Sequence, residues 1–283
     1  MTFRLAQISD THLSNDKPFF VANFERMSAR LRADRPDLIV NTGDLSLDGS
    51  EQPGDLDAAK ALHDSMDLPY CVIPGNHDVG ENVLGANQTA VSDAKRDRFN
   101  AVFGADWWTR DVPGWRLIGL NCLIMGSGLR AEMDQNAFLA AAVGGAAERA
   151  ILLLTHKPLY RDRRDESKLD GYYLWPKARA QILEVLSENP PKLICSGHLH
   201  QSRSARLDGI HHVWAPATSF IVPAEYQPTV GDRMMGYVEH SLHPDGSHDS
   251  RVVHAPELTC HSIVDFPDAY GDITKQQKAV VTS

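Results

Sequence analysis

The sequence has few cysteines, no long apolar segment and no excess of basic residues. Its four cysteines show no CxxC spacing, and three of them lie in apolar, strand-like segments, which favours packing over thiol chemistry. No apolar run approaches the roughly 20 residues that cross a bilayer, so a transmembrane protein is not expected. The net charge of −9 leaves no basic stripe, and general nucleic-acid binding is not expected either. An anionic substrate would have to be attracted by local cations.

The composition is that of an ordinary globular protein, with 42% hydrophobic and 23% charged residues among 283. No internal repeat or linker-like composition divides the chain, and periodicity is lost after Pro256. We therefore predict one domain over residues 1–256 and a C-terminal extension over 257–283 that is partly a mobile tail. The first strand is predicted to begin at Phe3, which leaves no room for a signal peptide, so a cytoplasmic location is expected.

Apolar runs and amphipathic segments alternate along the chain, which predicts an α/β fold. The Gly144-Gly145 pair is expected to weaken or bend the helix that contains it. Short alternating runs between 205 and 255 predict an antiparallel addition, while 80–89 and 157–175 are predicted loops, the first lying over the site. The predicted strands are 3–8, 38–42, 68–73, 115–122, 151–154 and 192–195, and the predicted helices are 19–35, 55–66, 90–103, 134–149 and 176–188.

The segment Pro74-Gly75-Asn76-His77-Asp78 follows one of these apolar strands. A strand that stops at Pro-Gly turns tightly, so the last three residues lie at its carboxyl edge, where ligands bind in open α/β sheets. An amide oxygen, an imidazole and a carboxylate side by side can bind a metal, donate a proton and orient the donor. Taken alone, the segment is equally compatible with a solvent-exposed loop.

Residues of the same kind follow four other predicted strands. Asp10 and His12 follow the first strand, and because side chains two apart in an extended segment share a face, they can converge on one ion. An isolated DxH is more typical of a helix cap. Five such motifs in order, each directly after an apolar strand, are not explained in that way. The candidate residues are Asp10, His12, Asp44, Asn76, His77, His156, His198 and His200.

This order of motifs, DxH, GD, GNHD, H and GHxH, resembles that of the calcineurin-like metallophosphoesterase superfamily over about residues 3–220. Within the superfamily, the chain looks like the bacterial phosphodiesterase branch, which includes class III cyclic-nucleotide and glycerophosphodiester phosphodiesterases. The resemblance implies a four-layer αββα sandwich of two mixed β-sheets flanked by helices.

The resemblance also implies a site for two divalent or trivalent metal ions. Carboxylate, amide and imidazole donors without thiolate suit iron, manganese, zinc or cobalt. Two such ions roughly 3.5–4 Å apart can hold a bridging hydroxide and bind a phosphoryl oxygen. The implied ligands are Asp10, His12 and His200 for one ion and Asn76, His156 and His198 for the other, with Asp44 bridging both.

His77 is not a metal ligand in this scheme. It would act as general acid or transition-state stabiliser at the leaving oxygen, and Asp78 would hold its other ring nitrogen. The branch implies hydrolysis of phosphodiesters, with cyclic nucleotides, glycerophosphodiesters and phospholipid headgroup esters as candidate substrates. A diester carries one negative charge less than a monoester and needs a protonated leaving group, a role that fits His77.

Further candidates for substrate binding lie in the predicted loop 157–175. Lys157 stands where many family members have a second histidine, and it is a candidate contact for phosphate, with a salt-bridged or exposed lysine as the alternative. Arg161 is a second candidate contact. Tyr172, Tyr173 and Trp175 are candidates for a leaving-group pocket, where they would stack a nucleobase or surround a quaternary ammonium. Packing of the loop onto the following helix is the alternative.

Two other functions remain open. A phosphomonoesterase or phosphoprotein phosphatase would need arginines for phosphate, and the only such cluster near a motif is Arg161, Arg163 and Arg164. A non-catalytic protein-binding scaffold, like the retromer subunit that uses this fold, tolerates loss of ligands, whereas every expected position is filled here. The antiparallel C-terminal part would leave an open sheet edge, so self-association into a homo-oligomer is also an expectation.

Overall fold

The computed structural model describes residues 1–82, 89–167 and 171–275. Within these ranges it contains two large β-sheets, one small sheet and seven helices. The strands are Phe3–Ile8 (β1), Leu38–Asn41 (β2), Tyr70–Val72 (β3), Trp108–Val112 (β4), Trp115–Gly119 (β5), Ala150–Leu154 (β6), Leu193–Ser196 (β7), Arg203–Leu207 (β8), Ile210–Trp214 (β9), Phe220–Ile221 (β10), Gly236–Leu242 (β11), His248–His254 (β12) and His261–Ser262 (β13). The helices are Val21–Asp34 (α1), Pro53–Asp64 (α2), Asn76–Val79 (α3), Asp93–Phe103 (α4), Arg130–Gly144 (α5), Pro176–Leu186 (α6) and Pro267–Tyr270 (α7).

Both large sheets are mixed. The first has the order β12-β11-β1-β2-β3, in which β1, β2 and β3 are parallel and β11 runs antiparallel to β1. The second has the order β4-β5-β6-β7-β9-β8, with β5, β6, β7 and β9 parallel and the edge strands β4 and β8 antiparallel to their neighbours. In each sheet the mutually parallel strands carry their carboxyl ends to the same edge.

The strands send alternate side chains to two hydrophobic cores, as the period of two requires. In β2, Leu38 and Val40 enter the core shared by the two sheets, whereas Ile39 enters the core beneath the helices. In β6, Leu152 and Leu153 divide in the same way. Helical side chains of α1, α5 and α6 complete the outer core. The predicted sandwich of two mixed sheets flanked by helices is thereby confirmed.

Several element boundaries differ from the sequence-based expectation. The strand β4 was not predicted, because its middle residues Thr109, Arg110 and Asp111 are exposed and polar and the strand forms only by pairing with β5. The helix α5 begins at Arg130 and ends at Gly144, so the glycine pair terminates it instead of bending it. Glycine has the highest entropic cost of fixing a helical backbone among residues with a free amide, which favours a stop there.

The described part of the C-terminal extension packs onto the domain. Phe266 contacts Phe19 and Phe20 at ring-centroid distances of 5.0 and 4.9 Å, and the Lys17 ammonium donates to the Asp268 carbonyl oxygen at 2.6 Å. Residues 276–283, which hold most of the predicted tail, lie outside the described residues. The division of the chain into a domain and an extension stays a prediction.

The cysteines behave as the sequence suggests. Cys122 and Cys195 are buried free thiols in the cores, and burial raises the pKa of the Cys122 thiol to about 11. In the described ranges, none of the helices is both long and apolar enough to span a bilayer. The cytoplasmic location and the homo-oligomer stay predictions.

The buried His63 in α2 makes the stability of the fold depend on pH. Its Nδ1 donates to the Ala59 carbonyl at 2.8 Å, and its Nε2 accepts from the Asn41 amide at 3.0 Å. Burial lowers the pKa of His63 to about 4. Because an unfolded histidine titrates near about 6.5, the unfolded chain binds a proton that the folded chain does not, and stability falls as the pH drops from about 6.5 to about 4 by up to about 3 kcal/mol.

We expect His63→Gln to reduce the slope of the free energy of unfolding against pH by roughly 1.4 kcal/mol per pH unit between pH 6 and pH 5. Urea unfolding at several pH values measures the slope, and the exposed His254→Gln serves as the control. An unchanged slope in the His63 variant would show that this histidine is protonated equally in both states.

Candidate metal centre

The seven predicted ligands all lie in segments that follow parallel strands of the two sheets. The segments are joined by the backbone: the Asp10 amide donates to the Gly43 carbonyl at 3.0 Å, the His12 amide to the Asp44 carbonyl at 3.0 Å, and the Gly197 amide to the His156 carbonyl at 2.9 Å. The edges of the two sheets are joined in turn, because the His198 amide donates to Asp10 Oδ2 at 3.0 Å. The residues assembled there are Asp10, His12, Asp44, Asn76, His156, His198 and His200.

One group of donors consists of Asp10, His12 and His200. Their ligand atoms lie within 4.8 Å of one another, and all three residues are buried. The Nε2 atoms of His12 and His200 are 3.3 Å apart, and His200 Nε2 is 3.5 Å from an Asp10 carboxylate oxygen. This is the set that the sequence assigned to the first ion.

A second group consists of Asp44, Asn76, His156 and His198. The His156 Nε2 atom is 3.1 Å from Asn76 Oδ1 and 3.1 Å from His198 Nδ1. Asp44 lies between the two groups, since its Oδ2 is 3.4 Å from His156 Nε2 and 3.7 Å from His12 Nε2. Asp44 thus faces both groups of donors, and it would be the shared ligand if each group held an ion.

The hydrogen bonds of the imidazoles fit a bound cation. The ring atoms that face away from the centre, Nδ1 of His156, Nδ1 of His200 and Nε2 of His198, donate to the carbonyls of residues 42, 220 and 171 at 2.9, 2.7 and 2.9 Å. The opposite nitrogens therefore point bare lone pairs into the centre. Lone pairs 3.1 Å apart repel one another unless a cation lies between them. The donor set accordingly fits metal ions.

The backbone of this region is in an unusual conformation. Five of the predicted ligands have positive φ angles of 47 to 70°, which non-glycine residues seldom adopt. Such conformations cost about 1–3 kcal/mol each and cluster at functional sites. The five are Asp10, His12, Asp44, His198 and His200.

Two glycines allow the close approach of the segments. A Cβ on Gly75 would collide with the Asp44 carboxylate, and a Cβ on Gly43, whose φ is +105°, would lie 2.5 Å from His156 Nδ1. Any side chain at either position would displace a predicted ligand.

The electrostatics of the centre favour positive charge between the carboxylates. Burial alone would raise the pKa of Asp44, but the neighbouring imidazoles, His156 first, hold it well below its usual range. Burial alone would lower the pKa of His156, but Asp44 and Asp10 raise it to about 9, so a proton on its Nε2 fills the place between the lone pairs that a metal ion would take. The two acids, both buried, thus create a strongly cation-attracting field at the centre.

His77 stands beside the ligands. Its backbone amide donates to Asp44 Oδ1 at 2.9 Å, and its ring packs edge-on against the ring of His12 at 4.6 Å. The Nδ1 atom is 2.7 Å from the Leu47 carbonyl, so Nδ1 carries a proton and Nε2 is the atom available for chemistry. His77 and Asn76 line an open cavity of about 590 Å³.

The predicted partnership of Asp78 with His77 is wrong. The buried Asp78 carboxylate accepts from the amides of Leu45, Ser46 and Gly75 at 3.1, 2.9 and 2.8 Å, and the Leu47 carbonyl takes its place at the His77 ring. The reason is the helical turn α3, in which consecutive side chains diverge by about 100°. Asp78 therefore holds the segment after β2 in place, and its carboxylate is not the partner of the His77 ring.

Lys157 forms a buried salt bridge. Its ammonium is 2.6 Å from a Glu81 carboxylate oxygen, and both side chains are at most 1% exposed. The structure thus shows the salt-bridged alternative and not a contact with substrate phosphate. The pair ties the end of β6 to the chain that leaves α3. Residues 83–88 of the predicted loop over the site lie outside the described residues, and the described Glu81 and Thr89 line the His77 cavity.

The other predicted substrate residues do not line the cavity of His77. Arg161, Tyr172 and Tyr173 line a separate cavity of about 370 Å³, and Trp175 packs against the core ahead of α6. The loop 157–175 still reaches the centre, but through the Gly171 carbonyl, which accepts from His198. The direction in which the loop leaves β6 determines which cavity its side chains line. No local sequence pattern encodes that direction.

Two aromatic residues at the centre were not predicted. Phe220 packs on His200 with ring centroids 4.2 Å apart, and Tyr270 lies 5.8 Å from the rings of both His12 and His77. Burial, followed by the charges of Asp44 and Asp10, raises the pKa of Tyr270 well above its usual range, so its hydroxyl keeps its proton. The only sequence signal was an aromatic segment, Phe266 to Tyr270, within a polar C-terminal stretch.

This sandwich of two sheets, with carboxylate, amide and imidazole donors at the ends of its strands, defines a metallophosphoesterase. The chain belongs to the calcineurin-like phosphoesterase family, whose model matches residues 3–202. The predicted family is thereby confirmed, and with it the prediction that the chain is a hydrolase with a dinuclear metal centre, the metals themselves being a separate question.

Relatives of known name include bacterial phosphodiesterases, as the predicted branch requires. A probable cyclic nucleotide phosphodiesterase of Synechococcus sp. is 27% identical over 267 residues, covering 89% of this chain and 92% of that protein. The 3′,5′-cyclic adenosine monophosphate phosphodiesterase of Pseudomonas aeruginosa is 28% identical over 263 residues, covering 86% of each. A dimetal phosphatase from Danio rerio shares the fold, with a TM-score of 0.61, 13% identity and coverage of 89% of this chain and 96% of that one.

Proposed function

We propose that the chain hydrolyses small phosphodiesters at two metal ions. Iron, manganese, zinc and cobalt suit the donor set. When bound, such a pair supplies an activated water and Lewis-acid stabilisation of the phosphoryl oxygens. The proposed ligands are Asp10, His12 and His200 for one ion and Asn76, His156 and His198 for the other, with Asp44 shared.

The protein's own contribution is orientation and proton transfer. The backbone carbonyls of Thr42, Phe220 and Gly171 fix the orientation of the imidazole ligands. The Leu47 carbonyl holds Nδ1–H of His77, so that a proton on Nε2 can pass to the leaving oxygen and leave a neutral imidazole behind. The same arrangement allows His77 to stabilise charge without transferring a proton.

One observation favours diesters over monoesters. Among the described residues that line the His77 cavity there is no arginine or lysine, and of the three carboxylates there Glu51 is paired with Lys95 and Glu81 with Lys157, which leaves the charge of Asp48. A monoester dianion placed there would meet more repulsion than a diester monoanion, because Coulomb repulsion scales with the charge. The volume of the His77 cavity, about 590 Å³, suits a small molecule. Because the named relatives include cyclic nucleotide phosphodiesterases, cyclic nucleotides are the first candidate substrates. Glycerophosphodiesters and phospholipid headgroup esters are the alternatives.

The phosphoprotein phosphatase alternative finds less support. The arginines it would use are each paired with a neighbouring carboxylate at 2.8, 2.7 and 2.9 Å, so their charges are neutralised locally. None of them lines the His77 cavity. The pairs are Arg161 with Asp162, Arg163 with Asp165 and Arg164 with Asp208.

A comparison of two chromogenic esters tests the proposal. We expect kcat/KM for bis-para-nitrophenyl phosphate to exceed that for para-nitrophenyl phosphate by about 10-fold or more at neutral pH, since one charge fewer is worth at least about 1.4 kcal/mol at this range. The metal-loaded protein is assayed with each candidate metal, and chelator-treated protein is the control. Faster hydrolysis of the monoester would overturn the assignment to diesters.

A further inference from the structure

The C-terminal extension delivers one aromatic side chain to the metal centre. Tyr270 lies at the end of α7, and its ring stands edge-on to the rings of His12 and His77, 5.8 Å from each. It also lines the cavity that contains Asn76 and His77. The extension therefore forms one wall of the site where the substrate is proposed to bind.

The Tyr270 ring is held in place by its packing against other aromatic rings. Phe220 packs against the Tyr270 ring at 4.9 Å and against the His200 ring at 4.2 Å. Behind it, Phe266 and Phe20 pack together at 4.9 Å in a small apolar cluster. A side chain held by packing on several sides presents its polar end with little loss of conformational entropy on binding.

The hydroxyl of Tyr270 has no hydrogen-bond partner in the part of the chain that the structure describes. The hydroxyl oxygen is fully buried. A buried hydroxyl without a partner costs about 1–3 kcal/mol, which is unusual unless the group serves a ligand. No arginine or lysine lines this cavity among the described residues, so a phosphoryl oxygen has few hydrogen-bond donors available besides His77.

We propose that the Tyr270 hydroxyl donates a hydrogen bond to a phosphoryl oxygen of the bound substrate or of the phosphate product. This rests on the proposed function, because it places the phosphoryl group between the metal ligands and His77. Tyr270 is then a substrate-binding residue contributed by the C-terminal extension, and the extension is part of the active site.

Tyr270→Phe tests the proposal, since it removes the hydroxyl and keeps the packing of the ring. We expect kcat/KM for bis-para-nitrophenyl phosphate to fall about 10- to 100-fold, the range of a hydrogen bond to a charged group. Calorimetric titration with inorganic phosphate should show about 10-fold weaker binding to the metal-loaded variant. The metal content should stay as in the wild type, and the thermal midpoint should not fall, since the variant loses a buried hydroxyl that has no partner.

Tyr237→Phe is the matched control. The Tyr237 hydroxyl is bonded to Asp34 and lies outside the His77 cavity, so this variant should keep the wild-type kcat/KM and phosphate affinity. Wild-type phosphate affinity and rate in the Tyr270 variant would refute the proposal while leaving diester hydrolysis intact. Loss of a metal ion from the variant would refute it too, because the phenol would then be a ligand. If the wild type hydrolyses no diester, the proposed function fails, and phosphate titration still decides on Tyr270.

Discussion

Replacing Asp44 with asparagine is expected to abolish the paired metal centre and to lower phosphodiester hydrolysis by about 10⁴-fold, the equivalent of several kcal/mol of transition-state stabilisation. Asp44 is the carboxylate that faces both donor groups, with Oδ2 at 3.7 Å from His12 Nε2 and 3.4 Å from His156 Nε2. Asparagine keeps the volume and removes the charge. Metal analysis after dialysis should find at most one ion per chain in the variant and two in the wild type.

The exposed Asp57→Asn provides the control for this substitution, because it removes one negative charge from the surface without touching the centre. Circular dichroism separates loss of metal from loss of fold. Two tightly held ions in the Asp44 variant, or a wild-type rate, would contradict the assignment of Asp44 as the shared ligand.

Replacing His77 with alanine is expected to have the second largest effect, a decrease in turnover of about 10²–10⁴-fold with both metal ions retained. The imidazole is bonded to the Leu47 carbonyl and lines the cavity, and although a ring nitrogen lies within 4.8 Å of ligand atoms of His12 and Asp44, His77 is not one of the seven proposed ligands. The measurement is kcat together with metal stoichiometry. A variant that loses its metals, or that keeps full activity, would show that His77 has another role.

The leaving group distinguishes between the two roles open to His77. A general acid matters most when the leaving oxygen is basic, so the loss of rate should be greater for a cyclic nucleotide or an alkyl diester than for a para-nitrophenyl diester. A transition-state stabiliser that transfers no proton predicts equal losses. The His77→Asn variant tests this further, because asparagine can donate a hydrogen bond but cannot transfer a proton.

The buried Lys157–Glu81 pair shows how the structure changes the interpretation of a single position. A lysine next to a metal ligand suggested a contact with phosphate, yet its charge is neutralised at 2.6 Å by an acid 76 positions earlier in the chain. Removing either partner would leave a buried charge without a counter-ion, which is strongly destabilising. We therefore infer that the salt bridge stabilises the segments that form the wall of the site.

The candidate residues at the strand ends could be found from the sequence because each position depends on local order, whereas their division between two ions came from the family resemblance. An apolar strand followed at once by Asp, Asn or His places that side chain at the sheet edge, whatever the rest of the chain does, and Asp10, Asp44 and His156 all follow this rule. Parallel strands then carry those edges to the same place. The two sheets and most of the helices follow from the same alternation of apolar and polar residues.

Contacts between distant parts of the chain were decided only in the tertiary structure. The pairing of Asp78 with the segment after β2, the salt bridge of Lys157 and the position of Tyr270 against His12 each join residues that are far apart in sequence, with no periodicity to reveal them. Local hydrophobic patterning determines which side chains reach a strand end, because burial acts on each segment separately. Which loop or terminus then covers that end depends on the packing of the whole chain, and the sequence carries no local trace of it.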